Sequence, residues 1–316
     1  MRAAEPAREL TVLVVVGTGG ADNYEEKFHR EADEWKAVCA KAGVECQIIG
    51  TEKPVEGKAD FALLKESVAK FIAESKNALW IVLIGHGSYD GREVRFNLRG
   101  PDMTSSEFAS WLKPMTRDLA VINTAPASAP FIKELSGPRR VIISATKSAD
   151  EVFATRFGGY FVKVIAGEME ADQDGDKQVS LLEAFLWASR QTTRFYENDG
   201  RLATEHALID DNGDGTGTRS EMFDGLRLAK KPDAGKTGDG QLSRQWALVL
   251  NDAEAKLTEE TRRKRDALER EAEAIRTKKD SMKVEDYYRE LDRVFTEIAK
   301  LYRPTAGGEE IRKALQ

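Results

Sequence analysis

The sequence predicts an α/β protein in which a mostly parallel sheet is covered by helices on both faces. Two observations favour this class. Residues 10–16 and 79–84 are almost unbroken apolar runs, the composition of strands that are buried on both sides. Amphipathic segments of helical period lie between such runs, and strands that alternate with helices along a chain form parallel sheets.

The elements follow one another in this alternation. Residues 23–42 carry apolar side chains at helical spacing and predict the first helix, which Gly43 ends. A second strand over Glu45–Ile49 and a second helix over 59–74 precede the strand 79–84. The later elements are a small β excursion over 90–98, a helix that ends at Leu112 with Thr104 or Ser105 as its cap, strands over 118–122 and Arg140–Ser144, and helices over 154–165 and 181–196.

The chain is predicted to have three parts. Residues 1–228 form the α/β domain, the polar, Gly-rich segment 229–252 is a linker, and residues 253–316 contain a helical hairpin that turns at Lys279-Asp280-Ser281. Its last helix carries the a/d seam of a coiled coil, which consists of Val284, Tyr287, Leu291, Val294, Ile298 and Leu301. The hairpin either packs on its own α/β domain or forms a surface for a partner or a second copy.

Composition limits the partners and the compartment. A formal net charge of −6 over 316 residues argues against nucleic acid as the main partner. The sequence has no apolar stretch of transmembrane length and no signal-type segment at its start. We expect an exported or periplasmic protein if a signal peptide has been removed, and a cytoplasmic protein otherwise. Cys39 and Cys46 are predicted to be buried thiols, with a disulfide as the alternative.

One histidine stands at the carboxyl end of a predicted central strand. The run 79–84 stops at Gly85-His86-Gly87, and the carboxyl ends of parallel strands open into the crevice where α/β proteins place their sites. The two glycines let a backbone or a ligand come close. His86 is a candidate catalytic imidazole, which needs a nucleophile from a neighbouring strand; the alternative is a histidine that only ends the strand.

The next strand, 118–122, supplies the second half of a recognisable arrangement. It is followed by Asn123-Thr124-Ala125-Pro126-Ala127-Ser128-Ala129. A strand that ends in His-Gly, then a strand that ends in a small-residue loop before a helix, resembles the caspase-like fold of clan CD cysteine peptidases, most closely the legumain-like C13 branch and its bacterial relatives. Asn23-Tyr24, Glu31-Ala32-Asp33 and the segment 140–148 with Ala145-Thr146 also resemble that branch. The resemblance covers about residues 10–200 and implies a cysteine–histidine dyad.

The cysteine that this resemblance implies is missing. In the family the second strand leads to Ala-Cys-x-Ser-Gly; here Pro126 stands at the cysteine position and Ala129 at the glycine that helps to form the oxyanion hole. The arginine that the family places after Asn-Tyr, for acidic or Asn/Asp side chains, is Glu25. The leading expectation is therefore a catalytically inactive, pseudo-peptidase relative with a vestigial His86.

Three other interpretations stay open. Ser128 is a candidate nucleophile for His86, and it is also placed to cap the helix before Phe131. The chain is otherwise a cysteine peptidase whose nucleophile was replaced, with Ala125 or Ala127 at its position. The last interpretation is a peptide-binding module that reuses the substrate groove.

An acidic loop after the predicted helix 154–165 has the spacing of an EF-hand-type loop. Oxygen-bearing side chains occupy positions 1, 3, 5, 7, 9 and 12 of that motif, namely Asp172, Asp174, Asp176, Gln178, Ser180 and Glu183. Alternate carboxylates turn inward on such a loop, and the last glutamate holds Ca²⁺ with both oxygens. Val179 is the apolar residue of position 8, but Lys177 stands at position 6, where glycine is usual.

A second acidic loop repeats the spacing. It consists of Asp210, Asn212, Asp214, Thr218 and Glu221. Gly215 occupies position 6 as expected, whereas Gly217 replaces the apolar residue of position 8. Two such loops predict Ca²⁺ binding at one of them or both. His206, just before the second loop, is predicted to be structural, because Ca²⁺ prefers oxygen ligands.

Together these features predict a caspase/legumain-like pseudo-peptidase with calcium-binding loops. We expect a protein or peptide partner, and the helical hairpin is a possible surface for self-association.

Overall fold

The computed structural model describes residues 9–53, 58–230 and 237–302, and strands form its centre. The strands are β1 (Leu10–Val16), β2 (Glu45–Ile49), β3 (Ala78–Ile84), β4 (Gly87–Tyr89), β5 (Val94–Phe96), β6 (Met103–Thr104), β7 (Leu119–Asn123), β8 (Arg140–Ser144), β9 (Leu208–Asp210), β10 (Thr218–Arg219), β11 (Phe223–Asp224) and β12 (Arg227–Leu228). Seven of them form one sheet in the order β10-β9-β8-β7-β3-β1-β2.

The middle of this sheet is parallel, as the sequence predicts. β1 pairs with β2 and β3, β3 with β7, and β7 with β8, all parallel. Every residue of β1 is buried, and so is every residue of β7. A strand buried on both faces has no need of polar alternation, which is why these segments read as continuous apolar runs.

The antiparallel edge was not predicted. β9 pairs antiparallel with β8, and β10 with β9. Both strands are very short and flank the second acidic loop, so their polar residues mask any strand pattern. The predicted β excursion after His86 is confirmed as a three-stranded antiparallel sheet, β4-β5-β6.

Helices cover both faces of the sheet. They are α1 (Asp22–Ala42), α2 (Asp60–Glu74), α3 (Ser105–Leu112), α4 (Pro130–Leu135), α5 (Phe157–Ile165) and α6 (Leu181–Asn198). Two more helices, α7 (Glu259–Thr277) and α8 (Val284–Leu301), form a separate unit that is described below. One hydrophobic cluster joins α1, α5 and α6 to one set of strand side chains, and a second joins α2, α3 and α4 to the alternate set. The predicted layered architecture is confirmed.

Side-chain hydrogen bonds determine where two of the helices, α3 and α5, begin. Thr104 is the N-cap of α3 and forms a capping box with Glu107, which settles the choice between Thr104 and Ser105. α5 begins at Phe157 rather than at residue 154, because the Thr155 hydroxyl donates a hydrogen bond to the carbonyl of Thr124. That bond holds the preceding segment against the end of β7.

The chain divides into two units after Val249, three residues before the predicted end of the linker. The described part of the predicted linker 229–252 belongs largely to the first unit: Leu248 is buried in its core, and the backbone N–H of Leu181 donates to the carbonyl of Trp246. Residues 231–236 lie outside the described part. The Asp239 carboxylate accepts hydrogen bonds from the N–H groups of Asp211 and Asn212, so buried polar contacts replace the expected solvated linker.

The second unit is the predicted hairpin of α7 and α8. Its core consists of Ala272, Tyr287, Leu291 and Val294, with Leu268, Ile275, Met282 and Ile298 packed against them. The predicted seam includes Val284, but this side chain is 71% exposed, because the hairpin core begins only at the next residue of the seam, Tyr287. No helix in the described ranges is long and apolar enough to cross a membrane. Cys39 and Cys46 are both free thiols, as predicted, but only Cys39 is buried, and Cys46 is half-buried.

Candidate functional site

The carboxyl ends of β3 and β7 bring the two predicted site segments together. Leu83 pairs with Asn123 at the end of the parallel ladder, so the segments after these strands leave the sheet side by side. They are in direct contact at Gly87, where an added Cβ would lie 2.1 Å from the carbonyl oxygen of Pro126. Only glycine fits at that position, which explains the second glycine of the Gly-His-Gly motif.

The imidazole of His86 is held by the first helix and by the loop before it. Its Nε2 atom lies 3.1 Å from the carbonyl oxygen of Gly19. Since a carbonyl only accepts, Nε2 carries the proton in this contact. The ring also packs edge-on against Tyr24 and Phe28, with centroid distances of 4.7 and 5.1 Å. His86 is thus a half-buried, well-positioned side chain at the sheet edge.

The loop beside it presents no side-chain nucleophile at the position that the resemblance implies. Pro126 and its neighbours Ala125 and Ala127 are buried. Ala127 has a φ of 54°, the left-handed conformation that glycine adopts most easily. Its N–H donates a hydrogen bond of 2.9 Å to the carbonyl of Glu151. The loop is therefore held from both sides, by Gly87 and by Glu151.

Ser128 lies inside the protein. Its side chain is 0% exposed, and its Oγ accepts a hydrogen bond of 3.1 Å from the N–H of Ala145 and lies 3.2 Å from the hydroxyl of Thr146. These contacts join the loop after β7 to the loop after β8. The side chain does not cap α4, which has Ala129 at its N-cap position. Thr146, singled out within the Ala145-Thr146 pair, is the partner that holds Ser128.

A second histidine, His206, lies in the segment between α6 and β9, and its ring contacts a carboxylate that the sequence analysis did not identify as its partner. Nδ1 of His206 lies 2.5 Å from Oε1 of Glu151, and the other oxygen of that carboxylate accepts from the N–H groups of His206 and Lys147. Glu151 therefore links the segment before β9 to the 125–128 loop. The two residues are far apart in sequence, so no local pattern could have paired them.

Two further buried carboxyl groups lie around the start of α5. Glu205 accepts hydrogen bonds from the N–H groups of Arg156 and Phe157 at the helix N-terminus, and burial raises its pKa. Glu31 on α1 has an oxygen without a hydrogen-bond partner, beside Gly158. Burial raises the pKa of Glu31 to about 7, against the opposing charge of Lys27. Glu25, the residue at the family's arginine position, is exposed.

The first acidic loop converges on a small space. Carboxylate oxygens of Asp172, Asp174 and Asp176 all lie within 4.8 Å of one another. Desolvation and the negative charges of Asp176 and Glu183 raise the pKa of Asp174 to about 6. A cation of matching size would relieve this repulsion, and the all-oxygen donor set suits a hard cation such as Ca²⁺.

The two acidic loops share one backbone conformation. At position 1, Asp172 accepts from the N–H groups of Gly175 and Lys177, and Asp210 accepts from those of Gly213 and Gly215. Residues 3 and 5 of each loop accept from the N–H two residues later. Positions 4 and 6 have positive φ in both loops, and Lys177, with φ of 67°, adopts the conformation of glycine there.

The two loops differ in the contacts of the glutamate at position 12. Glu183 turns back onto the first loop: Oε1 accepts from the N–H of Gln173, and Oε2 accepts from the N–H and hydroxyl of Ser180. Glu221 pairs instead with Arg219 at 2.9 Å. In the second loop Thr218 donates to Asp239, whose pKa burial raises to about 7. Gln178 of the first loop donates to Asp176 through its amide.

No protein-family model matches the chain, and no curated protein is similar to it. Among solved structures, the Drosophila initiator caspase Dronc is similar at a TM-score of 0.42 and 11% identity, covering 67% of this chain and 82% of that one. A structural-genomics protein from Geobacter sulfurreducens is similar at a TM-score of 0.42 and 12% identity, covering 63% of this chain and 92% of that one. Caspase-1 from Spodoptera frugiperda is similar at 0.40 and 6% identity, covering 65% and 87%.

Proposed function

We propose that this chain is a caspase-like protein without peptidase activity, in which His86 is a structural remnant and the acidic loops bind Ca²⁺. The observation that carries the first part is the contact between the two strand ends. The carbonyl of Pro126 faces Gly87, at the place where the dyad of a legumain-like peptidase requires a thiol. A proline offers no nucleophile there, and the donated bond to Gly19 occupies one nitrogen of His86.

An active hydrolase with Ser128 and His86 is the alternative. A serine nucleophile must be exposed to substrate and must donate its proton to a base. Ser128 is fully buried, and its recorded partners are Ala145 and Thr146. These contacts support a structural role for Ser128.

Peptidase assays and covalent labelling separate these proposals. We expect no cleavage of a library of fluorogenic peptides, with or without Ca²⁺, and no labelling by a fluorophosphonate. Cleavage that disappears in His86→Ala, or labelling that disappears in Ser128→Ala, would contradict the proposal. Ala125→Cys and Ala127→Cys test the remaining alternative, a peptidase whose nucleophile was replaced at one of these two positions: activity in either variant that depends on His86 would favour that alternative and contradict the proposal.

The Ca²⁺ proposal rests on the first acidic loop. Its three aspartates converge, and Glu183 supplies a fourth carboxylate whose negative charge acts on Asp174. The second loop has the same turn geometry, but its last glutamate is paired with Arg219. We therefore assign the tighter site to the loop of Asp172, Asp174, Asp176, Gln178 and Glu183, and a weaker one to the loop of Asp210, Asn212 and Asp214.

Calorimetry of matched variants tests this assignment. Ca²⁺ at about 100 times its Kd should raise the free energy of unfolding by about 2.7 kcal/mol. Asp176→Asn should remove most of the gain, whereas Asp214→Asn, at the equivalent position 5 of the second loop, should leave most of it. A melting temperature that is equal in Ca²⁺ and in EGTA would rule out tight binding, and equal losses in the two variants would reject the assignment.

The sheet edge also has a feature that favours a peptide-binding role. Phe153 is 65% exposed and Val152 is 49% exposed, directly after Glu151, whose carbonyl holds the 125–128 loop. Large exposed apolar side chains beside a strand-end crevice are typical of ligand contacts. Peptides that are selected from a random phage library on the unchanged protein should bind less tightly to the Phe153→Ala variant than to the unchanged protein. Binding should not change in Leu202→Ala, an exposed apolar position elsewhere, and equal binding by all three proteins would contradict this role.

A further inference from the structure

α8, the last helix of the described residues, carries a second apolar seam that its own hairpin covers only in part. Arg276 of α7 lies 5.5 Å from the ring of Phe295, and the hydroxyl of Tyr302 is hydrogen-bonded to Glu254 and Arg265. The large side chains of Val284, Tyr288, Phe295 and Tyr302 are 71%, 60%, 43% and 39% exposed. Together with Leu291 and Ile298 they form the series 284, 288, 291, 295, 298, 302. The spacing alternates between four and three residues, as in the a/d seam of a coiled coil.

This seam is distinct from the one that packs on α7. The inner seam contains Tyr287, Leu291 and Val294, which are buried in the hairpin core. Leu291 and Ile298 belong to both series, so the apolar face of α8 is about twice as wide as a two-helix hairpin requires. A face of this width is typical of helices in four-helix bundles. Two hairpins supply four helices.

We infer that α8 pairs with α8 of a second copy of this chain, in antiparallel orientation, to form a four-helix bundle. This inference goes beyond the partner surface expected for the proposed function, and it does not depend on Ca²⁺ or on the state of the sheet edge.

The orientation follows from side-chain size. An antiparallel pair centred on residue 293 places Tyr288 opposite Ile298 of the other copy, Phe295 opposite Leu291, and Tyr302 opposite Val284. Every layer then matches an aromatic residue with an aliphatic one, as large and small side chains interdigitate in well-packed cores. A parallel pair would instead stack Tyr on Tyr and Phe on Phe.

The exposed area is sufficient for a weak, specific dimer. With roughly 200 Å² for each large side chain, the exposed fractions amount to about 400 Å² in each copy. For the two copies together this is about 800 Å², which lies in the range of weak, transient interfaces, below about 1,200 Å². We therefore expect a weak dimer that dissociates on dilution.

One charge opposes the pairing and makes it testable. In this seam Leu291 is a d position of the heptad, so Asp292, the next residue, is an e position. In an antiparallel pair of helices the e positions of the two helices face each other. The two copies of Asp292 therefore meet near the two-fold axis. Asp292→Asn should tighten the dimer about two-fold by removing this repulsion, and high salt should do the same for the unchanged protein.

Sedimentation velocity of the full chain from about 1 to 100 μM tests the inference. The expected result is a monomer that becomes a dimer across this range. Tyr288→Glu and Phe295→Glu should remain monomeric with unchanged helix content by circular dichroism, while Leu202→Glu, an exposed apolar position in the first unit, should behave as the unchanged protein. A monomer at every concentration, or a dimer that all three variants retain, would overturn the inference.

Cross-linking checks the orientation. In a background with Cys39 and Cys46 replaced by alanine, Asp292→Cys should form a disulfide dimer on mild oxidation, and Glu285→Cys should not, because residue 285 faces residue 299 of the other copy. Equal yields from both variants would reject the antiparallel arrangement. Ca²⁺-dependent stabilisation should persist in Tyr288→Glu, so a failure of the Ca²⁺ proposal leaves this inference standing, and the reverse also holds.

Discussion

Lys177 adopts a backbone conformation that is costly for any residue with a side chain. Its φ of 67° lies in the left-handed region, and the equivalent residue of the second loop is Gly215 with φ of 76°. A non-glycine residue in the left-handed region costs about 1–2 kcal/mol relative to glycine. Glycine offsets about 0.5–1 kcal/mol of this difference, because it loses more conformational entropy when the chain folds. The strain is maintained by the hydrogen bond from its N–H to Asp172.

We therefore expect Lys177→Gly to be more stable than Lys177→Ala by up to about 1 kcal/mol in chemical denaturation without Ca²⁺. The alanine variant removes the charge but keeps the strain, so the comparison isolates the backbone. Gly215→Ala should lose a similar amount, since an added Cβ there meets only ordinary contacts, the nearest at 3.7 Å. Equal stabilities of the glycine and alanine variants at residue 177 would show that the turn is not strained.

Glu31 should make the protein less stable as the pH rises. Burial raises its pKa from 4.5 to about 7, so the folded state binds a proton that the unfolded state releases above pH 4.5. The favourable contribution is complete below the unfolded pKa and is lost as pH rises through 7. Since one pKa unit corresponds to about 1.4 kcal/mol, the loss is roughly 3 kcal/mol.

The test compares urea unfolding between pH 4.5 and 8 in three proteins. Glu31→Gln should lose roughly 3 kcal/mol less across this range than the unchanged protein, and Glu26→Gln, an exposed position on the same helix, should follow the unchanged protein. Parallel profiles of the Glu31 variant and the unchanged protein would show that Glu31 is ionised at no cost.

The contacts that join distant residues at the site have no signature in the sequence. The aspartate spacing of the acidic loops is local, so it predicted their turn geometry, and the two glycines around His86 predicted a close backbone approach. The pairing of Glu151 with His206 and of Ser128 with Thr146 depends instead on which loops the sheet brings together. Such pairs become visible only when the strand order is known.

Among the secondary-structure elements, α3 and α6 begin with the same device. Thr104 with Glu107, and Ser180 with Glu183, form capping boxes in which each glutamate accepts from the backbone N–H of the N-cap residue. Glutamine also supports this motif, so a Glu→Gln change leaves the helix start intact. In α6 the glutamate is also position 12 of the first acidic loop, and in α3 it has no such second role.

This pair provides a matched test of the Ca²⁺ site. Without Ca²⁺, Glu107→Gln should change the free energy of unfolding by less than about 1 kcal/mol, and Glu183→Gln should cost about 1–3 kcal/mol, because the N–H of Gln173 loses its acceptor. With Ca²⁺, Glu107→Gln should keep the full gain and Glu183→Gln should lose most of it, as measured by calorimetry. A full Ca²⁺-dependent gain in Glu183→Gln would remove this residue from the proposed ligands.

The strands that could be predicted from the sequence are the buried ones. β1, β3, β7 and β8 are buried along almost their whole length, so hydrophobic composition alone located them within a residue or so. β9 to β12 have two or three residues each. The pairing of β9 with β10 follows from the turn of the acidic loop between them, and that of β11 with β12 from the turn at residues 225–226. Propensity over so short a stretch carries almost no information.

On the scale of the whole molecule, the two units have separate hydrophobic cores. The clusters on the two faces of the sheet contain only residues of the first unit, and the hairpin cluster contains only residues of α7, α8 and their connection. The first unit ends at Val249, and Leu248 is part of its core. A cut after residue 252 therefore removes none of the first unit's described core, whereas a cut at the boundary predicted from the sequence, after residue 228, would remove Leu248 and the carboxylate of Asp239.

We expect a chain that ends at residue 252 to remain folded, with a cooperative thermal transition within a few degrees of the full chain and with its Ca²⁺ response retained. A chain that ends at residue 228 should be strongly destabilised, because the N–H groups of Asp211 and Asn212 lose their acceptor and Leu248 leaves a cavity; each of these losses costs about 1–3 kcal/mol or more. Scanning calorimetry with near-ultraviolet circular dichroism measures both. If both truncations unfold, the hairpin contributes to the stability of the α/β unit; if both fold equally well, the buried segment 237–249 is dispensable and the units divide where the sequence composition changes.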